Sequence, residues 1–97
     1  MSSLCKYKFN GNIAKNIIED QIALAITVAE CTFGLAKVRI NAGYNISDDK
    51  PIRVVIDTST DIGENIAQVF TGLIIRQVGN DKFSVERVNK ISVEQEA

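Results

Sequence analysis

The stretch from Asn12 to Phe33, NIAKNIIEDQIALAITVAECTF, constrains the fold most, because apolar residues recur at helical spacing along all of it. On a wheel of 100° per residue, the apolar residues fill about half the circle, as in a helix that faces a core. Asn10 or Asn12 is expected to cap this helix, and Gly34 to end it. The residues expected to face the core are Ile13, Ala14, Ile17, Ile18, Ile22, Leu24, Ala25, Val28 and Ala29.

The second half of this helix is apolar on more than one side. Within residues 22–29, IALAITVA, only Thr27 is polar, and the run is too short and too closely flanked by charges for a membrane span. One interpretation is that the outward-facing apolar residues are tolerated at the surface, as is common in monomers. The other is that a second copy of the chain covers them. The predicted self-contact then consists of Ala23, Ile26, Phe33 and, from a second helix, Ile75.

Length, charge and cysteine content narrow the class of protein. The 97 residues with a net charge of −1 predict one globular domain, residues 1–88, followed by a polar tail at 89–97. Cys5 and Cys31 lie far apart and are expected to be buried free thiols. Because residues 1–9 contain lysines but no apolar signal-peptide core, we expect a cytoplasmic location.

Three further segments alternate apolar and polar residues, which is typical of half-buried strands. They are Cys5–Phe9, Ala36–Ile46 and Ile52–Asp57, and the last two are expected to form a hairpin around the turn residues 47–50. Lys82–Val88 is expected to be a fourth strand.

A second helix is predicted from Asp61 to Val78, ending at Gly79. Asp61 and Glu64 have the spacing of a capping box at its start. Thr71 and Gly72 are poor residues for a helix interior, so the sequence leaves an alternative open. In that alternative a shorter helix ends at Gly72, and residues 73–78 form a hairpin with 82–88.

The resulting order is strand, helix, strand, strand, helix, strand. With right-handed crossovers this order gives a four-stranded antiparallel sheet with both helices on one face. The predicted fold class is therefore α+β, a two-layer βαββαβ sandwich of ferredoxin-like type. Because this fold hosts many unrelated functions, function has to be argued from particular residues.

Residues suited to catalysis are scarce. The sequence has no histidine, too few cysteines for a Cys₄ metal centre and no glycine-rich phosphate loop. We therefore predict no catalytic activity, no metal and no cofactor. The best anion-binding candidate is the start of the second helix, where Thr58, Ser59 and Thr60 supply hydroxyl groups near free amide protons. Helix capping alone also explains these residues.

Basic residues are expected to project from the sheet face opposite the helices, namely Lys6, Lys8, Lys37, Arg39 and Arg53. Such a face can be a solvated surface, a surface for a protein partner, or a contact for nucleic acid or another anion through Lys37, Arg39 and Arg53. Tyr7, Phe9 and Tyr44 share the apolar register, so the expected contact with nucleic acid is with phosphate alone. Lysines on outer strands also protect sheet edges.

The sequence therefore predicts a small cytoplasmic binding or accessory module that associates with itself, most simply as a dimer. The first alternative is a nucleic-acid or anion-binding domain that uses the basic sheet face. The second is a small-ligand sensor, because the strand–helix order resembles that of regulatory domains that bind amino acids between protomers at a glycine-containing turn. Asn10–Gly11 is the turn at that position here.

Overall fold

The computed structural model describes residues 3–11, 13–47 and 51–89. The predicted tail therefore lies outside the described residues, apart from Asn89, which ends the last strand. The elements in chain order are β1 (Ser3–Phe9), α1 (Lys15–Phe33), α2 (Leu35–Asn41), β2 (Tyr44–Ser47), β3 (Arg53–Asp57), α3 (Asp61–Val78) and β4 (Phe83–Asn89).

The four strands form one antiparallel sheet in the order β2-β3-β1-β4. Strands β1 and β3 are central, and β2 and β4 form the edges. Along β1, Cys5, Tyr7 and Phe9 are buried whereas Lys6 and Lys8 are exposed, so the helices cover one face of the sheet and leave the other open. The predicted two-layer ferredoxin-like sandwich is confirmed, with α2 as an additional helix.

The core lies between the covered face of the sheet and helices α1 and α3. At one end it is aromatic: the rings of Tyr7 and Phe70 meet edge to face with centroids 5.0 Å apart, and those of Phe9 and Phe83 stack at 5.7 Å. Such arrangements contribute about 0.5–1.5 kcal/mol beyond the burial of their area. These contacts connect β1, β4 and α3.

The prediction of a strand over Ala36–Ile46 is wrong for most of that segment. Its first part is helix α2, and strand β2 begins only at Tyr44. Alternation would place Val38 and Ile40 on the same face, yet Val38 is 1% exposed and Ile40 is 81% exposed. A short run of apolar residues fits both the two-residue repeat of a strand and the 3.6-residue repeat of a helix. In α2, Val38 is the residue that is buried.

Helix α1 is rotated relative to the prediction. Leu24 and Val28, expected in the core, are 50% and 42% exposed. The observed core-facing residues are Ile18, Gln21, Ile22, Ala25 and Ala29. Ala25 and Ala29 are small, which lets the helix backbone approach its neighbours closely, and a broad apolar belt does not define the inward direction by itself.

The ends of α1 are partly as expected. Gly34 ends the helix with a φ of 96°, a conformation that favours glycine. The predicted asparagine cap at Asn10 is wrong, because the helix begins at Lys15 after Ala14, with no side-chain cap. Asn12 lies outside the described residues. In the described ranges, no helix combines the length and apolarity needed to cross a lipid bilayer.

Helix α3 runs without interruption from Asp61 to Val78 and ends at Gly79. The long-helix prediction is confirmed, and the alternative hairpin over 73–78 is wrong. The cap is Thr60 instead of Asp61: Thr60 Oγ1 accepts a hydrogen bond from Gly63 N at 3.1 Å. Thr71 fits inside the helix because its hydroxyl donates to Ala67 O at 2.7 Å.

The first turn of α3 packs directly on the end of β3. A Cβ atom added at Gly63 would overlap the carbonyl oxygen of Asp57. Gly63 is buried and inside the helix, where glycine is otherwise unfavourable. The glycine is therefore explained by the close approach of two backbones.

Candidate interaction surfaces

An apolar surface on α1 and α2 is the first candidate. We define the α1–α2 surface as Leu24, Val28, Leu35 and Ile40, all of which are exposed. Leu24 and Val28 are four residues apart on α1 and so lie on one flank of that helix. Beside Leu24, a shallow depression is lined by Asp20, Gln21, Ala23 and Thr27. Of the seven exposed large hydrophobic residues in the described chain, five lie between Leu24 and Tyr44.

The four residues predicted for self-contact do not form one surface. Ala23 is exposed, whereas Ile26 and Phe33 are half-buried and pack against the core. Ile75 is 40% exposed but lies on α3, one turn beyond Thr71, which contacts Tyr7 on the sheet. Rotation of α1 thus turns Leu24 and Val28 outward in place of Ile26 and Phe33.

Acidic and basic residues are separated along the segment that forms α1 and α2. Glu19 and Asp20 are exposed in the first half of α1, and Glu19 Oε2 lies 3.7 Å from Lys15 Nζ. Lys37 and Arg39 are exposed on α2. The expectation that these two basic residues project from the sheet is wrong, because their segment is helical. Acidic residues thus lie in the first half of α1, and basic residues lie on α2.

The open face of the sheet carries a second candidate, which we call the basic sheet cluster: Lys6, Lys8 and Arg53. Lys8 lies directly opposite Arg53 in the β1–β3 ladder, and Lys6 is two residues from Lys8 on the same face. All three side chains are exposed. They belong to the two central strands, so protection of a sheet edge does not explain them.

Hydroxyl groups flank this cluster. The sheet register places Ser47 beside Arg53 and Ser84 beside Lys8, so one row across all four strands reads Ser47, Arg53, Lys8, Ser84. A depression of about 360 Å³ on this face is lined by Lys6, Lys8, Arg53, Val55, Ser84, Glu86 and Tyr7. Glu86, opposite Lys6, is the acidic residue in that lining.

The predicted anion site at the start of α3 has internal partners for all three hydroxyl groups. Thr60 caps the helix. Thr58 Oγ1 lies 2.6 Å from Ser3 Oγ, and Ser59 Oγ donates to Asp57 Oδ1. Together these bonds join the beginning of β1 to the connection between β3 and α3. Capping and tertiary hydrogen bonds thus account for these residues without an anion.

Sequence reasoning missed Arg87, which joins the same region. Its guanidinium forms an ion pair with Glu64 on α3, and Nη1 donates to Thr58 Oγ1 at 3.3 Å. The hydrogen bond and ion pair with Glu64 raise the pKa of the Arg87 guanidinium above its ordinary value, so the side chain stays charged. The alternation of β4 could have indicated this residue, because it places Arg87 on the face of the sheet that the helices cover, opposite Cys5.

A groove of about 440 Å³ lies beside Arg87, between α3 and strands β1 and β4. It is lined by Cys5, Tyr7, Ala67, Gln68, Thr71, Val85 and Arg87. Burial raises the pKa of the Cys5 thiol, an effect that the nearby Arg87 charge partly opposes. Cys31 is exposed, so the expectation that both thiols are buried is wrong for this residue.

The turn proposed for small-ligand sensing falls partly outside the described residues, since Asn12 is not among them. Gly11 has a φ of 75°, a conformation that favours glycine, and Asn10 N donates to Lys82 O at 2.8 Å. Backbone geometry thus explains the glycine.

Comparison with known proteins assigns no function to this chain. No protein-family model matches the chain, and no curated protein matches it. The solved structure of the de novo designed protein Ferredog-Diesel is similar at 14% identity with a TM-score of 0.47, over 89% of this chain and 84% of that chain. The solution NMR structure of the de novo designed protein LFR1 1, described as having a ferredoxin fold, is similar at 13% identity with a TM-score of 0.45, over 93% of this chain and 85% of that one. The order and connections of the strands themselves establish the ferredoxin-like fold of this chain.

Proposed function

We propose that this chain is a small binding or accessory module that works as a homodimer, with the α1–α2 surface as its self-contact. The observation that carries the proposal is the grouping of Leu24, Val28, Leu35 and Ile40, four exposed aliphatic side chains, on two consecutive helices. Groups of large exposed apolar side chains are typical of sites where another protein binds. Single exposed apolar residues elsewhere need no such explanation.

The distribution of charge favours a second copy of the chain as the partner. A two-fold axis near Leu24 and Val28 packs α1 antiparallel to α1 of the second copy. Both copies then contribute the same residues to the contact. The acidic end, with Glu19 and Asp20, then approaches the partner's basic α2. Opposite charges at the rim of an interface fix its orientation and increase the association rate more than they increase affinity.

A role in binding fits the chemistry of the chain better than catalysis. The sequence has no histidine. The raised pKa of Cys5 keeps its thiol protonated near neutral pH, and the thiolate is the reactive form. Cys31, an exposed free thiol, suits a reducing compartment, so the proposal includes a cytoplasmic location.

The experiment compares charged substitutions at three exposed apolar positions. Leu24→Glu and Val28→Glu place carboxylates in the proposed contact, whereas Ile75→Glu makes the same kind of change on α3, away from it. In light scattering at tens of micromolar, we expect the wild type and Ile75→Glu to be dimeric. The two α1 variants should be monomeric, with circular dichroism spectra like that of the wild type. Equal loss of association in all three variants, or in none of them, would contradict the proposed surface.

A further inference from the structure

We propose that the basic sheet cluster is a binding site for a ligand that carries a phosphate or pyrophosphate group. The site is independent of the proposed self-contact, since it lies on the opposite layer of the sandwich.

Like charges lie close together in the basic sheet cluster. Lys8 and Arg53 are directly opposite each other, and cross-strand partners on one face have Cβ atoms about 4.5–5.5 Å apart. Like charges in this relation destabilise a sheet. Among the described residues, no acidic side chain forms an ion pair with either of them or with Lys6. An anion held between them removes the repulsion.

The cluster lies in the middle of the sheet and not at its edges. Cationic side chains on edge strands are a common protection against pairing with another chain. Here all three lie on the central strands β1 and β3, whose backbone groups already form hydrogen bonds with a neighbouring strand on each side. The cluster therefore needs another explanation, and recognition of an anion provides one.

The depression beside the cluster indicates the size and class of the ligand. Three flexible cations and the Ser84 hydroxyl surround a depression of about 360 Å³, a volume suited to a small ligand. The Lys and Arg head groups donate charge-assisted hydrogen bonds, which phosphate oxygens accept well. The three cations of the cluster outnumber the one carboxylate in the lining, Glu86, so the depression keeps an excess of positive charge that favours an anion.

Single-stranded nucleic acid fits this face less well. Proteins that bind single strands combine a basic surface with aromatic side chains on which bases stack. Tyr7, Phe9 and Phe83 are buried in the core, and Tyr44 lies in the register of the covered face, opposite Ile56. The open face thus offers contacts for phosphate groups and no stacking platform among the described residues.

The test is calorimetric titration of the full chain with pyrophosphate at low ionic strength. We expect saturable binding at one site per chain, weakened at least about tenfold in the double variant Lys8→Gln, Arg53→Gln, because each substitution removes a charge-assisted hydrogen bond to the ligand. The control, Arg76→Gln, removes an exposed charge from α3, outside both the basic sheet cluster and the α1–α2 surface, and should bind as the wild type does.

Two further measurements test the same site. Amide NMR signals of Lys6, Lys8, Arg53 and Ser84 should shift on titration. Without ligand, the Lys8→Gln, Arg53→Gln variant should unfold at a temperature equal to or above that of the wild type, because its repulsion is gone.

Any of the following results would overturn the proposal: no saturable binding at low salt, equal weakening in the sheet double variant and in Arg76→Gln, shifts confined to residues elsewhere, or a lower unfolding temperature for the sheet variant without ligand. A single-stranded oligonucleotide that binds more tightly than pyrophosphate would assign the face to nucleic acid instead. A nucleoside diphosphate that binds no more tightly than pyrophosphate would support recognition of the phosphate groups alone. None of these results depends on whether the chain forms a dimer.

Discussion

The Tyr7 hydroxyl lies 2.7 Å from Thr71 Oγ1, and this contact joins the central strand β1 to the middle of α3. The same Tyr7 oxygen is 3.2 Å from Ala67 O, to which Thr71 also donates. A buried phenol thus shares a small hydrogen-bonded group with the helix backbone. The contact explains why a threonine lies at a position where helix propensity alone is unfavourable.

Burial raises the pKa of Tyr7 to about 12, whereas the unfolded chain should show the ordinary value near 10. Since the folded pKa is the higher one, the stabilisation by the protonated phenol is complete below about pH 10 and is lost as the pH rises towards 12. Tyr7→Phe should lower the free energy of unfolding by about 1 kcal/mol at neutral pH.

Chemical denaturation of both proteins from pH 8 to 12 measures this effect. The stability difference between wild type and Tyr7→Phe should shrink above pH 10. A difference that stays constant over this range would show that Tyr7 does not titrate with a raised pKa.

Two glycines of α3 should respond in opposite ways to the same substitution. Gly63→Ala should reduce stability by about 2 kcal/mol or more, since overpacking of this kind forces backbone shifts. Gly72 has open space around it, so Gly72→Ala should raise stability by about 0.5–1 kcal/mol through helix propensity.

Thermal or urea unfolding of the two variants provides the comparison, and each variant is the control for the other. If Gly63→Ala proved as stable as the wild type, the close contact between α3 and the end of β3 would be refuted.

Reversal of charge tests the orientation of the proposed dimer. Lys37→Glu with Arg39→Glu should weaken association about two- to tenfold, because exposed charge pairs at an interface each contribute about 0.2–1 kcal/mol. Glu19→Lys with Asp20→Lys, added to that variant, should restore association. The effect should diminish at high salt.

Sedimentation equilibrium of the wild type and the two charge variants measures these changes. If the variant with all four substitutions associates no better than Lys37→Glu with Arg39→Glu, that result would argue against the antiparallel arrangement.

The sequence was sufficient to predict the order of the main elements, because α1, α3 and the strands β1, β3 and β4 have clear periodicity. It did not reveal α2. The segment from Ala36 alternates as a strand does, and only the tertiary position of Val38 decides in favour of helix.

The surfaces were harder to predict than the fold. The broad apolar belt of α1 fits several rotations, so the residues that face solvent depend on contacts with α3 and the sheet. Ile26, predicted to face outward, packs against the core, whereas Leu24 and Val28, predicted to face the core, are exposed. Lys37 and Arg39 lie on helix α2 and not on the sheet, because their segment is helical. Arg53 lies on the sheet as predicted, because β3 was predicted correctly.

The most direct test of self-association is the mass of the unmodified chain in solution. The 97 residues have a mass of 10.6 kDa. Sedimentation equilibrium at low micromolar to about 100 micromolar protein, the range in which moderate dimers dissociate, should show a mass that rises to twice this value. A mass that stays at 10.6 kDa at every concentration would contradict the dimer, and the proposed function with it.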